Sequence, residues 1–435
     1  MVKYICRKPG KKSVRIILRD SKIISSSYSR EYSFVFKRGK GMHLWDVDNR
    51  KYLDFAASVA VNSVGHCNND VINAVKKQLN YGLHCAFPDF YAELPVLFVE
   101  NLLKFVPKHL NNAFLSNSGT ESVECALKLA KWHTNKKWLI AFNPCFHGRS
   151  MGSLSMTNSK PVQRERFAPF LPVRHVPYPY PYRSKFHDED DLSNYCLKVL
   201  EKNVKDLRKD LAGIFFEPIS GEGGYIVPPK SFVKGLKEIC DKYNVLLCDD
   251  EVQSGCYRTG KFLAIENFNV KADIVCLSKA IGGGVPLGVT LANKKTMNWV
   301  PGSQSNTFGG NLLACAGGIA TLNYIKKHRL GENAVKIGNY MLKRLNEMKE
   351  KYEIIGDVRG IGLMIGVEIV KNKHTKEYGI KERNNILCRA NEKGLILIPA
   401  GKSVIRICPP LIINKRQADN GLDIFEDAVK DTIKK

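Results

Sequence analysis

From about residue 112 onward, short runs of β-branched and aromatic residues alternate with amphipathic stretches of helical period, the pattern that βαβ units around a mostly parallel sheet produce. NAFLSN (112–117) leads into SGTESVECALKLAKW, where Val123, Ala126, Leu127 and Ala130 recur at helical spacing. LAGIFF (211–216) runs into Glu217-Pro218 and a glycine-rich turn, after which Phe232, Leu236, Ile239, Cys240 and Tyr243 share one face of a crossover helix. NVLLC (244–248) precedes Asp249-Asp250-Glu251, and DIVCL (273–277) precedes Ser278-Lys279. Polar residues therefore collect just beyond apolar strands, and open α/β sheets bind ligands outside the carboxyl ends of their strands.

A chain of 435 residues exceeds one ordinary domain. We expect an α/β fold with a large domain over 66–330. A smaller α+β domain over 331–435 would hold a long amphipathic helix (332–352), the strand-like IGLMIGVEIV, GLILIP and SVIRICPPLII, and a closing helix (416–433). The N-terminal segment, 1–65, includes the strand-like HLWDVDNRKYLDF but has too little apolar material to stand alone. It is expected to pack on the small domain or on a neighbouring subunit.

With 44% hydrophobic and 25% charged residues, the composition excludes a disordered, collagen-like or membrane-bundle chain. The longest apolar stretch, Ala280 to Asn293, is interrupted by Gly and Pro and is shorter than the roughly 20 residues that span a bilayer. The N-terminus lacks a signal-peptide core, so a cytoplasmic protein without a membrane partner is expected. The thirteen cysteines show no zinc-ligand spacing, which leaves no metal site and favours free thiols in a reducing cytosol. Lys+Arg 67 against Asp+Glu 42 gives a net charge of +25. Residues 1–51 alone carry fourteen Lys/Arg and four Asp/Glu, with no interleaved stacking platform, so a solvated surface is expected there and not a nucleic-acid arm.

Three pieces of the pattern bear on chemistry. The helix start Ser118-Gly119-Thr120 offers unpaired N–H groups, two hydroxyls and the positive end of a helix dipole, which suits a phosphate monoester; an ordinary cap reads the same way. Lys279, at the end of a buried strand and before Gly282-Gly283-Gly284, can form a Schiff base with a carbonyl, or be a solvent-facing loop lysine. Asp250 can hold a heteroaromatic N–H, or cap the next segment. Together they describe a pyridoxal 5'-phosphate site.

The strings SNSGTESVECALKLAK, FHGRSMGSLS, EPISGEGGYIVPP, LLCDDEVQSG, LSKAIGGGVPLG, SNTFGGNLLA and VIRICPPL occur in one order from about Ser26 to Ile413. On these blocks the sequence resembles the class III (ornithine/4-aminobutyrate/acetylornithine type) aminotransferases of pyridoxal phosphate fold-type I, and within them the archaeal-type branch that includes amino-acid racemases. The resemblance implies Lys279 as the cofactor lysine and Asp250 as the pyridine-nitrogen partner. It implies Val252 and Phe146 on the two faces of the ring, with His147 beside them and Gln253 at the phenolic oxygen. Ser118, Gly119 and Thr120 would hold the phosphate, and Thr307 would do so from the other subunit of a homodimer. Arg406 would take the α-carboxylate of an amino donor or a 2-oxo acid, Glu222 would cover Arg406 when the substrate presents an amine, and Arg149 would take the distal carboxylate.

The sequence departs from that pattern at Tyr257, at Asn68-Asn69 and at Lys402, none of which touches the lysine or the phosphate cup. The expected activity is transfer of the amino group of an ω-amino donor, 4-aminobutyrate or ornithine, to 2-oxoglutarate by a ping-pong mechanism. A racemase of the same family is the alternative, and a basic nucleic-acid-binding protein is a third reading that salt-dependent DNA binding without a yellow cofactor would support.

Overall fold

A computed structural model describes residues 6–434; the first five residues of the N-terminal segment expected over 1–65, and Lys435, lie outside them. Fifteen strands follow in chain order. The first three are β1 (Phe36–Lys40), β2 (His43–Asp46) and β3 (Lys51–Asp54). Then come β4 (Asn112–Ser116), β5 (Trp138–Asn143), β6 (Val173–Pro177), β7 (Leu211–Phe216), β8 (Leu246–Asp250), β9 (Ile274–Leu277) and β10 (Gly288–Ala292). The last are β11 (Ile355–Ile361), β12 (Met364–Ile369), β13 (Leu395–Ile396), β14 (Ile398–Ala400) and β15 (Val404–Ile407). The chain divides into two compact units, Asn69–Gly331 and the residues up to Asn68 taken with those from Glu332 on.

The Asn69–Gly331 unit is built on one seven-stranded sheet in the order β4-β10-β9-β8-β7-β5-β6. Neighbours from β9 through β6 pair in parallel, and β10 runs antiparallel to both β9 and β4. Every residue of β7 is buried, as a central parallel strand with both faces covered requires. The helix Gly119–Thr134 buries Val123, Ala126, Leu127 and Ala130 and is capped by the Ser118 hydroxyl, which accepts the Glu121 N–H. The helix Lys230–Tyr243 buries Phe232, Leu236, Ile239 and Cys240 and ends where Asn244 turns left-handed. Asp249 and Asp250 differ from expectation: they pair with Val275 and Cys276 as the last residues of β8, because the ladder to β9 continues through them.

The second unit carries two four-stranded sheets, β1-β2-β3-β13 and β11-β12-β15-β14. The early hairpin β2–β3 is joined to the end of the chain by parallel pairing of Leu53 with Leu395. Two elements were not anticipated, β11 and the helix Lys11–Ile23; the helix buries only Ser13, whose N–H donates to Asp48, so its apolar spacing gives no core-facing stripe. The cysteine expectation needs one correction. Eleven cysteines are free, but Cys6 is bonded to Cys388 in the helix Ile380–Glu392.

Asp54, fully buried at the end of β3, organises the turn that follows. Its Oδ1 accepts the N–H groups of Ala56 and Ala57, and its Oδ2 lies 2.7 Å from Nε2 of His66. Ala57 to Ala60 then run at positive φ, between 46° and 64°. Such backbone is costly for residues with a Cβ and persists where surrounding bonds dictate it. Among the described residues no helix is long and apolar enough to cross a membrane. Asp54→Ala should lower stability by about 2–4 kcal/mol, because it strips three partners from buried groups; an unshifted thermal midpoint would show that the turn does not depend on Asp54.

Candidate active site

At the carboxyl edge of the large sheet, segments that follow β4, β5, β7, β8 and β9 line one cavity of about 300 Å³. From β4 comes the helix start with Gly119 and Thr120, and from β5 the loop Phe146-His147-Gly148-Arg149. Glu217 and Ile219 follow β7; Asp250, Val252, Gln253 and Ser254 come from the end of β8 and beyond; Lys279 follows β9. Nine residues singled out from the sequence thus meet here, and Ser118 caps the adjoining helix.

Local geometry fixes each group. Lys279 opens a short 3-10 turn with φ +46°, immediately after Ser278, whose hydroxyl donates to the Leu287 carbonyl at 2.7 Å. Asp250 is buried; its Oδ2 lies 2.8 Å from Nδ1 of His147, and its Oδ1 accepts the Val252 N–H at 3.1 Å. The Nε2 of His147 is buried without a hydrogen-bond partner. Thr120 Oγ1 lies 2.6 Å from Ser153 Oγ and accepts the Ser150 N–H at 3.3 Å. Gln253 accepts the Tyr225 hydroxyl at 2.8 Å. Two glycines are required here: a Cβ on Gly119 would lie 2.6 Å from Val252, and one on Gly148, at φ +142°, would lie 2.3 Å from Thr120.

Other expected residues stand elsewhere. Thr307 is exposed and does not line the cavity, in keeping with a role assigned to it only in a second copy. Glu222 also lies off the cavity lining and pairs with Lys160 Nζ at 2.5 Å, a partner the sequence did not point to. Arg406 belongs to the other unit, on β15, where its Nε and a terminal nitrogen donate to the Pro399 carbonyl at 3.0 and 2.7 Å. Tyr257 packs edge-on against Phe262 at 5.5 Å and does not line the cavity, while the Lys402 ammonium lies 4.8 Å from the Tyr378 ring. Glu217, Ile219, Gly148 and Ser254 were missed. The Glu-Pro that ends β7 was the available signal for the first of them.

The electrostatics are those of a buried, charge-rich pocket. Burial opposes a charge on His147, yet the Cys145 sulfur and the hydrogen bond to Asp250 outweigh it and raise its pKa well above the ordinary histidine value. Burial pushes Glu217 up to about 7, with His147 opposing and Asp250 adding to the rise. Burial likewise takes Glu251 up to about 7, and it pushes neighbouring Asp249 well up with help from the Glu251 charge. An acid whose pKa is raised by folding binds its proton more tightly in the folded state. The stability it brings is complete below its ordinary value near 4.5 and is lost as the pH climbs through 7. The thermal midpoint should therefore fall across that window, and Glu251→Gln should flatten the fall; an unaltered pH profile in the variant would contradict this account.

Comparison with known proteins agrees with the geometry. Residues 24–429 match the family model of class III aminotransferases. The chain is 36% identical to the alanine/serine racemase of Pyrococcus horikoshii, over 99% of this chain and 93% of that one. It is 38% identical to the acetylornithine aminotransferase of Clostridium acetobutylicum, over 94% and 99% of the two chains. Among solved structures, the ornithine aminotransferase of Toxoplasma gondii, which carries pyridoxal phosphate at partial occupancy, superposes with a TM-score of 0.87 at 28% identity, covering 97% of this chain and 95% of that one. The residues here fit that cofactor: an amine at Lys279, a buried carboxylate at Asp250, hydroxyls and a helix start at Ser118 to Thr120, and glycines where side chains would fill the space. The chain belongs to the class III aminotransferases, enzymes of pyridoxal phosphate fold-type I.

Proposed function

We propose that the protein moves the amino group of an ω-amino donor of the ornithine or 4-aminobutyrate type to 2-oxoglutarate in two half-reactions. The observation that carries this is the convergence of Lys279, Asp250 and the Gly119-Thr120 helix start on one cavity. The acetylornithine aminotransferase relative supports a donor of ornithine type. When bound, pyridoxal phosphate supplies an electron sink for the bond that breaks at the substrate carbon.

The chain's own residues do the rest. Lys279 Nζ holds the cofactor and, once released, takes the proton from the substrate carbon as base and returns it as acid. Asp250 faces the ring nitrogen as a carboxylate, and its bond to His147 Nδ1, 2.8 Å long, fixes its orientation. Phe146 and Val252 close on the two ring faces, and Gln253 reaches the phenolic oxygen. Ser118, Gly119 and Thr120 receive the phosphate with N–H groups and hydroxyls at a helix start. Arg149, exposed at the cavity rim, and Arg406 are the guanidinium forks for substrate carboxylates. Glu222 acts as the carboxylate switch between the two substrates, and Lys160 competes for it.

The working unit in this reading is a homodimer in which Thr307 completes the partner's phosphate site. Exposed Leu83, Phe90, Tyr91 and Phe308 in the same unit support an apolar interface there. Eleven free cysteines support a cytoplasmic location. The racemase relative favours a second reading, in which the proton returns to the substrate carbon and no amino group leaves.

Incubation of the purified yellow protein with single amino donors (ornithine, acetylornithine, 4-aminobutyrate, lysine, leucine and alanine) separates the two readings. Stoichiometric conversion to the pyridoxamine form by an ω-amino donor is expected; loss of optical activity without a keto product would replace transamination by racemisation. Lys279→Ala should abolish the yellow absorbance and all turnover. Mixing Lys279→Ala with Thr307→Ala subunits should restore about a quarter of wild-type activity, since half of randomly exchanged dimers hold one complete site. No restoration would remove the shared site.

A further inference from the structure

Glu217, the first residue past β7, was absent from the expected site, yet it lines the same cavity as Asp250 and Lys279 and is only 6% exposed. Its Oε2 accepts the Phe146 N–H at 2.9 Å and its Oε1 accepts the Gly221 N–H at 3.0 Å. Phe146 stands in the loop after β5 and Gly221 in the turn after β7, so one carboxylate ties together loops from two adjacent strands. The Gly221 anchor is itself confined, since a Cβ there would lie 2.3 Å from Gln253 Nε2. Gln253 is in turn held by the Tyr225 hydroxyl. On the other side the Phe146 ring, half-buried, faces the cavity, with the Arg149 guanidinium 5.9 Å from its centroid.

We propose that Glu217 is a positioning residue for the cofactor face: by fixing the Phe146 N–H against the Gly221 turn it sets the Phe146 ring over the pyridoxal plane. The inference rests on the cofactor reading given above. Two converging N–H donors need two acceptor oxygens on one carbon, and a carboxylate supplies them. Glutamine supplies one oxygen and an NH2 group, so either Phe146 or Gly221 would face a donor and lose its bond. Burial brings Glu217 to a pKa of about 7, and the two N–H groups oppose that rise by bonding to the ionised form. A carboxylate whose only role is to hold the fold would act independently of the Phe146 ring; one that positions the ring would not.

A double-mutant cycle on the full-length enzyme, resolved of cofactor and then titrated with pyridoxal 5'-phosphate, tests this. The readouts are the dissociation constant and the visible circular dichroism per bound cofactor, which reports how asymmetrically the ring is held. Glu217→Gln should weaken binding about tenfold and diminish the dichroism, whereas in a Phe146→Ala background it should change binding by less than about twofold. An equal loss in both backgrounds overturns the proposal, as does a Glu217→Gln enzyme with wild-type affinity and dichroism. Should Glu217→Gln not fold, Glu217→Asp, which keeps both oxygens on a shorter arm, carries the same cycle with the same criteria. A wild-type protein that binds no pyridoxal phosphate would overturn the cofactor reading itself, a result distinct from additivity in the cycle.

Discussion

Six of the seven strands in the large sheet run in one direction, so the segments that leave β4, β5, β7, β8 and β9 all emerge at the same edge. Everything chemical in this unit depends on that shared direction. A parallel strand must be followed by a crossover before the next can pair, and the first residues of each crossover are therefore held by the rigid end of a ladder. Lys279, Asp250, Glu217, the Phe146 loop and the Thr120 helix start occupy such positions, which is how groups far apart in sequence come to face one cavity.

Burial at that edge gives the groups their character. Asp250 and His147 satisfy one another inside the protein, and a buried pair of this kind has a fixed geometry because neither partner can turn to solvent. The neighbouring acids Glu217, Asp249 and Glu251 have no comparable freedom, and burial favours their neutral forms. The site thus concentrates titratable groups within a few residues of the strand ends, where a cofactor carrying both a phosphate and a protonated ring needs them. The surplus positive charge of the chain belongs to a different part of the molecule. Its N-terminal share includes the exposed helix Lys11–Ile23, and the site itself calls on few cations.

Much of this could be read from the residues. The strands at NAFLS, LAGIFF, LLCDD and IVCL carry their own apolar runs, and the helices Gly119–Thr134 and Lys230–Tyr243 bury the faces that their spacing predicted. Failures came where local pattern carries little information. β11 alternates weakly and is held by pairing with β12. The Cys6–Cys388 bond joins residues 382 apart, which no spacing rule detects. Glu222 was expected beside Arg406 from resemblance alone, and its actual partner, Lys160, is 62 residues away in sequence.

The sequence by itself determined which residues end each strand and what chemistry they could perform: an amine, a carboxylate, an aromatic ring and a phosphate-binding helix start. These are local properties, written in apolar runs and in the polar residues that follow them. Only the tertiary structure decided that β4 and β9 flank β10, and that β8, β7 and β5 follow in a non-sequential order. Long-range pairing sets that order, and with it the meeting of Glu217 with the Phe146 and Gly221 N–H groups. Such a contact depends on which ladders lie side by side, and periodicity along one segment holds no record of its neighbours.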